Sequence, residues 1–154
     1  MVLWITFGIT FLIIVKLFEF NYYKLGWTKI IADLKNNKLE DLGEFELVIY
    51  QPDSVTMQQI RTTRHLFGIN RAKVFKDEGR LIFLPWSKEI LLNKYYSPFQ
   101  ILLNEKTIGL NSITADWTFN SNQVEDKWDD LRITFSAPDI ITTEVLLTIK
   151  NWIR

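Results

Sequence analysis

The chain contains one histidine, His65, and no cysteine, so thiolate nucleophiles, disulfides, cysteine zinc sites and sites needing two histidines are closed from the outset. His65 retains the chemistry of a base for a serine nucleophile, but no G-x-S-x-G turn surrounds any serine. Beside Arg64 it reads as a surface residue. The densest carboxylate run, Glu125-Asp126-Lys127-Trp128-Asp129-Asp130, invites a hard-cation reading, yet it lacks the D-x-D-x-D-G register and the glycine of a calcium loop. It reads as a solvated loop. Gly79 and Gly109 are isolated, so no glycine-rich turn cradles a phosphate, and Asp77-Glu78 sit in a turn that accounts for them. No catalytic residue, metal ligand or cofactor is expected.

What remains is the chemistry of recognition. Between Arg61 and Arg80 six basic residues (Arg61, Arg64, Arg71, Lys73, Lys76, Arg80) face only Asp77 and Glu78, whereas Asp116 to Asp139 carries six acids (Asp116, Glu125, Asp126, Asp129, Asp130, Asp139) against Lys127 and Arg132. The folded part is therefore expected to be electrically two-sided. Lys plus Arg and Asp plus Glu both total 18, so no net field recommends nucleic acid. Leu84-Pro85-Trp86 and Tyr95-Tyr96-Ser97-Pro98-Phe99 bring aromatics and prolines to strand ends, where they serve either a partner groove or the core. Arg61, Arg64, Arg71, Lys73, Lys76 and Trp86 are the candidate binding residues.

The element that must position them is N-terminal. Residues 2 to 15 (VLWITFGITFLIIV) carry no charge, and 12 of the residues from Val2 to Phe18 are Val, Ile, Leu or Phe. About twenty residues at 1.5 Å each make roughly 30 Å of helix, the thickness of a bilayer core, with Lys16 near enough to one end to snorkel. A cleaved signal peptide would place Lys or Arg ahead of the apolar run and small residues after it, and neither is present. A core helix would show a polar face, whereas Thr6, Gly8 and Thr10 alternate in an apolar surround. Residues 1–20 thus read as a transmembrane anchor. Lys16, Lys24, Lys29, Lys35 and Lys38 all lie at or beyond its C-terminal end, which predicts a cytoplasmic domain. Trp4 at one end, and Tyr22, Tyr23 and Trp27 at the other, suit interfacial positions.

Residues 21–43 read as an amphipathic helix and linker, since Trp27, Ile30, Ile31 and Leu34 recur at three and four and the pattern stops near Asn36-Asn37. Residues 44–154 read as one β-rich domain. Phe45, Leu47 and Ile49 alternate with Glu44, Glu46, Val48 and Tyr50, and Val55 to Asn70 is assigned to a strand. Ala72–Lys76 and Arg80–Leu84 form a hairpin about Asp77-Glu78-Gly79. Phe99–Leu103, Ile113–Phe119 and Leu131–Ser136 follow as strands, with turns at Asn104-Glu105-Lys106 and Asn120-Ser121-Asn122. Ser136-Ala137-Pro138-Asp139 has capping-box spacing, and Ile141, Val145, Ile149 and Trp152 mark a helical face. The expected fold class is α+β: a transmembrane helix, then a mainly antiparallel meander, pleckstrin-homology-like or GRAM-like, closed by a C-terminal helix.

The anchor followed by Gly26-Trp27-Thr28-Lys29-Ile30-Ile31-Ala32, and later by Gly79-Arg80-Leu81-Ile82-Phe83-Leu84 and Phe99-Gln100-Ile101, resembles uncharacterised small bacterial membrane-anchored proteins. The resemblance implies an anchor, a Gly-Trp helix and a β-rich domain on a bacterial inner membrane, and no activity. The expected function is a non-catalytic interaction module at the inner leaflet, binding anionic lipid or a membrane-protein partner. The competing reading is a membrane-anchored hydrolase that relies on carboxylates, which a cleft lined by two carboxylates of raised pKa would favour.

Overall fold

The computed structural model describes residues 2–50, 68–77, 79–90, 92–103, 117–136 and 144–152. The apolar N-terminal run and the amphipathic segment after it form one unbroken helix, α1 (Val2–Asn36). Its 35 residues span about 52 Å at the rise of an α-helix. No break falls at the expected boundary after residue 20. Gly26 lies inside the helix, where a modest loss of propensity is outweighed by the packing of its neighbours on the domain.

The helix ends at a left-handed cap. Lys38 has φ 60°, the Leu39 N–H donates to the Leu34 carbonyl at 3.2 Å, and the Lys38 N–H donates to the Lys35 carbonyl at 3.0 Å. Leu39 and Leu34 meet in the same buried cluster, the hydrophobic contact that accompanies this cap. The chain is thereby turned back into β1 (Glu40–Tyr50), four residues before Glu44, where the alternation alone begins.

The strands that follow are β2 (Arg71–Asp77), β3 (Arg80–Ser87), the two-residue β4 (Lys94–Tyr95), β5 (Phe99–Leu102), β6 (Trp117–Lys127), β7 (Asp130–Ser136) and β8 (Glu144–Ile149). Their order is β2-β1-β8-β7-β6-β5-β3, and β3 pairs back onto β2, so seven strands close into a barrel. Closure removes the free sheet edges. β4 stands outside the ring and pairs with the Trp86–Ser87 end of β3. Every ladder is antiparallel except β5–β6, which is parallel, so the expected simple meander does not hold. The expected β2–β3 hairpin is present, with Asp77 opposite Arg80.

Inside the barrel, alternate residues of each strand meet in one core. An aromatic row crosses it: Phe83 stacks on Phe99 at 4.7 Å between centroids, Phe99 meets Phe119 edge-on at 5.8 Å, and Phe119 meets Phe135 at 5.0 Å. Each fully buried ring contributes about 1.5–3 kcal/mol of hydrophobic stabilisation. Along β3 all eight residues are buried, which is why it reads as an unbroken apolar run. Leu81 and Phe83 point into the barrel, while Ile82 and Leu84 point outward beneath α1, where Leu34, Trp27, Ile30 and Ile31 cover them.

Two expectations are corrected. Val145 and Ile149 lie in strand β8, not in a C-terminal helix, with Trp152 just past its end; Val145, Leu147 and Ile149 all face the core. The expected turn at Asn120-Ser121-Asn122 is strand interior, and a bulge between Ser121 and Gln123 absorbs the extra residue. The Val55–Asn70 strand falls almost wholly outside the described residues. The Asn104–Lys106 turn and the capping-box residues Ala137, Pro138 and Asp139 lie outside them too.

Candidate functional site

Strand direction gives the barrel two distinct ends. α1 runs along β3 from its Ser87 end, where the Phe20 and Trp27 rings meet Tyr95 in tilted contacts at 5.8 and 5.0 Å, to its Arg80 end, where Leu34 sits beside Phe75 and Ile82. The exposed apolar half of α1 therefore leaves the barrel at the Ser87 end. β6 runs parallel to β5 and away from that end, so the β6–β7 hairpin caps the opposite one. There Trp128 and Asp129 take left-handed φ values of 56° and 64°, a tight two-residue turn. The acids Glu125, Asp126, Asp129 and Asp130 thus gather at the end remote from the apolar half of α1.

The carboxylate run at that hairpin is used structurally. Asp130 Oδ2 accepts from Lys150 Nζ at 2.8 Å and Oδ1 from the Asn151 N–H at 3.1 Å, and the Asp129 carbonyl accepts from the Trp152 N–H at 2.6 Å. The hydrogen bond from Lys150 holds the Asp130 carboxyl below its usual range, reinforced by the Asn151 N–H. Among the described residues, no three His, Asp or Glu side chains converge as metal ligands would.

The described basic candidates are spread along the barrel. Arg61 and Arg64 lie outside the described residues, as does His65. Arg71 opens β2 opposite Trp86, at the end nearer the apolar half of α1, and its guanidinium lies 5.5 Å over the Trp86 ring. Lys76 is exposed but sits opposite Leu81, toward the other end. Lys73 lies between them, committed to Asp41 at 2.9 Å and lying 5.5 Å from the Phe75 ring. Arg80 is buried and donates to Asp77 at 3.3 Å and to the Gln100 side chain at 2.8 Å. The register adds acids alongside, with Glu44 opposite Lys73 and Glu46 opposite Arg71.

Burial alone would raise the Asp41 carboxyl, but hydrogen bonds from Lys73, the Gly43 N–H and Lys35 outweigh it and hold the group below its usual range. Asp41 thereby ties β1, β2 and the last turn of α1 together. Gly43 makes the geometry available. Its φ of 98° lies in a region that side chains rarely adopt, and it follows the bulge that turns Asp41 toward Lys73. Trp86 is 9% exposed, so it serves the packing of β3 under Arg71 and is not an exposed aromatic docking point.

A cleft of about 830 Å³ opens instead at the Ser87 end, between α1 and the chain flanking β4. Lys16, Glu19, Phe20 and Tyr23 line one wall, and Glu89 and Lys94 contribute to the other. Lys16 Nζ is 2.9 Å from Glu19 Oε2, and Lys94 Nζ lies 5.1 Å over the Tyr96 ring. The Tyr96 hydroxyl donates to the Gly68 carbonyl at 3.3 Å, an approach close enough that a side chain at Gly68 would collide with that hydroxyl. Of the aromatic segment expected to serve a partner groove or the core, Tyr95, Tyr96 and Ser97 line this cleft; sequence reasoning missed the α1 wall and the apolar triplet Ile90-Leu91-Leu92 set among Lys88, Glu89 and Asn93.

No family model, curated protein or solved structure matches the chain.

Proposed function

We propose that the protein is a membrane-anchored, non-catalytic interaction module whose barrel sits at the cytoplasmic face of a bacterial inner membrane and engages anionic lipid there. The observation that carries this reading is the continuity of α1. Its first half, from Trp4 to Phe18, is apolar and exposed, and one face of its second half, Trp27, Ile30, Ile31 and Leu34, packs on the barrel, so the helix that suits a bilayer is the one that holds the domain. Such a joint fixes the barrel's orientation as well as its distance from the lipid. The lysines from Lys16 to Lys38 favour the cytoplasmic side. The acidic hairpin at the far end of the barrel agrees with this, because an anionic leaflet would repel it.

The pleckstrin-homology-like or GRAM-like comparison is a likeness of bent, barrel-forming strands, with the helix here leading the barrel, and it brings no ligand with it. The carboxylate-hydrolase reading gains little. Asp41 and Asp130 are held below the usual range, opposite to the shift a general acid needs, and Glu19 in the cleft is paired with Lys16. Native mass spectrometry of the full chain in detergent, titrated with phosphatidylglycerol and with phosphatidylcholine, tests the lipid preference. Selective retention of phosphatidylglycerol, weakened in Arg71→Gln, is the expected result. Equal retention of both lipids would shift the reading to a membrane-protein partner.

A further inference from the structure

We propose that the segment between β3 and β4, carrying Ile90 near its middle, is a second membrane contact that enters the headgroup layer beside α1 and sets the tilt of the barrel on the bilayer. The inference rests on α1 being the membrane span, and it names the surface through which the domain meets lipid.

Position is the first argument. A helix crossing about 30 Å of hydrocarbon uses about twenty residues, which brings the boundary near Phe20, with Lys16 about 21 Å along the axis from Val2. The β4 flank is held at that level. The Tyr95 ring meets Phe20 at 5.8 Å and Trp27 at 5.0 Å in tilted contacts, while Glu89 and Lys94 face Lys16 and Glu19 across the cleft. Glu89, next to Ile90, and Lys94 line the same cleft as Phe20, so the β3–β4 segment runs beside the level that Phe20 takes.

Chemistry is the second argument. Ile90 is 102% exposed, as open as a side chain in an extended peptide, although the neighbouring β3 is buried from end to end. An aliphatic side chain displayed in this way, on the same end of the barrel from which the apolar half of α1 leaves, suits acyl chains just beneath the headgroups. Its neighbours suit the headgroups themselves: Lys88 and Glu89 are exposed, and Lys94, Tyr95 and Tyr96 form a short basic and aromatic border. No other exposed patch among the described residues combines an apolar tip with contact to the span. Trp128 is 82% exposed, but it stands at the opposite end of the barrel among acids.

The absence of cysteine from the chain makes a direct test clean. Ile90→Cys, Phe11→Cys and Trp128→Cys, each in the full chain and labelled with a nitrobenzoxadiazole dye, are reconstituted into phosphatidylethanolamine–phosphatidylglycerol vesicles. Each is then probed with lipids spin-labelled at shallow or deep positions and with aqueous iodide. All three side chains are exposed, so labelling leaves the packing intact. The expected pattern is quenching of the Phe11 probe by deep spin labels and blue-shifted emission of the Ile90 probe with quenching by shallow ones. The Trp128 probe is expected to respond to iodide alone. A deep Phe11 probe with an Ile90 probe as open to iodide as that at Trp128 would overturn the loop contact and leave the span standing. An Ile90 probe shielded from iodide yet untouched by spin-labelled lipid would assign the segment to a protein partner and likewise overturn it. A Phe11 probe in water would overturn both readings.

Discussion

Lys38 shows how a single residue at the helix end decides the path of the chain. A side chain at φ 60° costs about 1–2 kcal/mol relative to glycine, part of which is offset by the greater freedom glycine loses on folding. Lys38→Gly is therefore expected to raise stability by about 1 kcal/mol in a urea titration of the full chain in detergent. Asp41 makes the complementary point about charge. Its carboxyl is held below the ordinary value, so the folded state releases its proton more readily than the unfolded chain does. That stability is fully present above about pH 4, the range of an unperturbed aspartate, and is lost as pH falls through the depressed value. Asp41→Asn should lower stability at pH 7 and flatten the acid side of the stability–pH profile. An unchanged acid limb would remove Asp41 from the clasp between β1, β2 and α1.

At the scale of elements, the outer face of β3 and the inner face of the barrel bear separate loads. Leu34→Ala opens the seam between α1 and β3, and Phe83→Ala empties part of the barrel core; each is expected to cost about 2–5 kcal/mol. They differ in what is lost. Leu34→Ala should increase hydrogen exchange in the 20–36 segment while leaving the β5–β7 ladder protected, whereas Phe83→Ala should weaken every strand together.

The elements also show where sequence reading succeeds and where it fails. The β2–β3 hairpin and the inward face of β1 are legible because each depends on one turn or one period, whereas α1 reads as two elements because its apolar half and its amphipathic half follow different patterns. β8 was misread because Val145 and Ile149 are four apart, close to the helical period and also a multiple of the strand period, and Leu147 between them completes the alternation. The bulge in β6 hid its strand in the same way, since Asn120, Ser121 and Asn122 are turn-forming residues by composition. Of the basic segment, the described Lys73 and Arg80 pair with Asp41 and Asp77, and the register sets Glu44 and Glu46 beside Lys73 and Arg71, neighbours that strand topology and not local sequence decides. The cleft beside β4 depends on α1 meeting a distant two-residue strand, a contact that no local pattern encodes.

The molecule as a whole is organised along one axis, from an exposed apolar helix through a seam shared with the barrel to an acidic hairpin at the far end. Hydrophobic residues that would be a liability in water become intelligible when α1 crosses a bilayer, and the barrel then has a single way to face it. Alkaline carbonate extraction of membranes from cells expressing the full chain tests this most directly, with a truncation beginning at residue 21 for comparison. The full chain should remain in the membrane pellet and the truncation should leave it; release of the full chain into the carbonate supernatant would contradict the account.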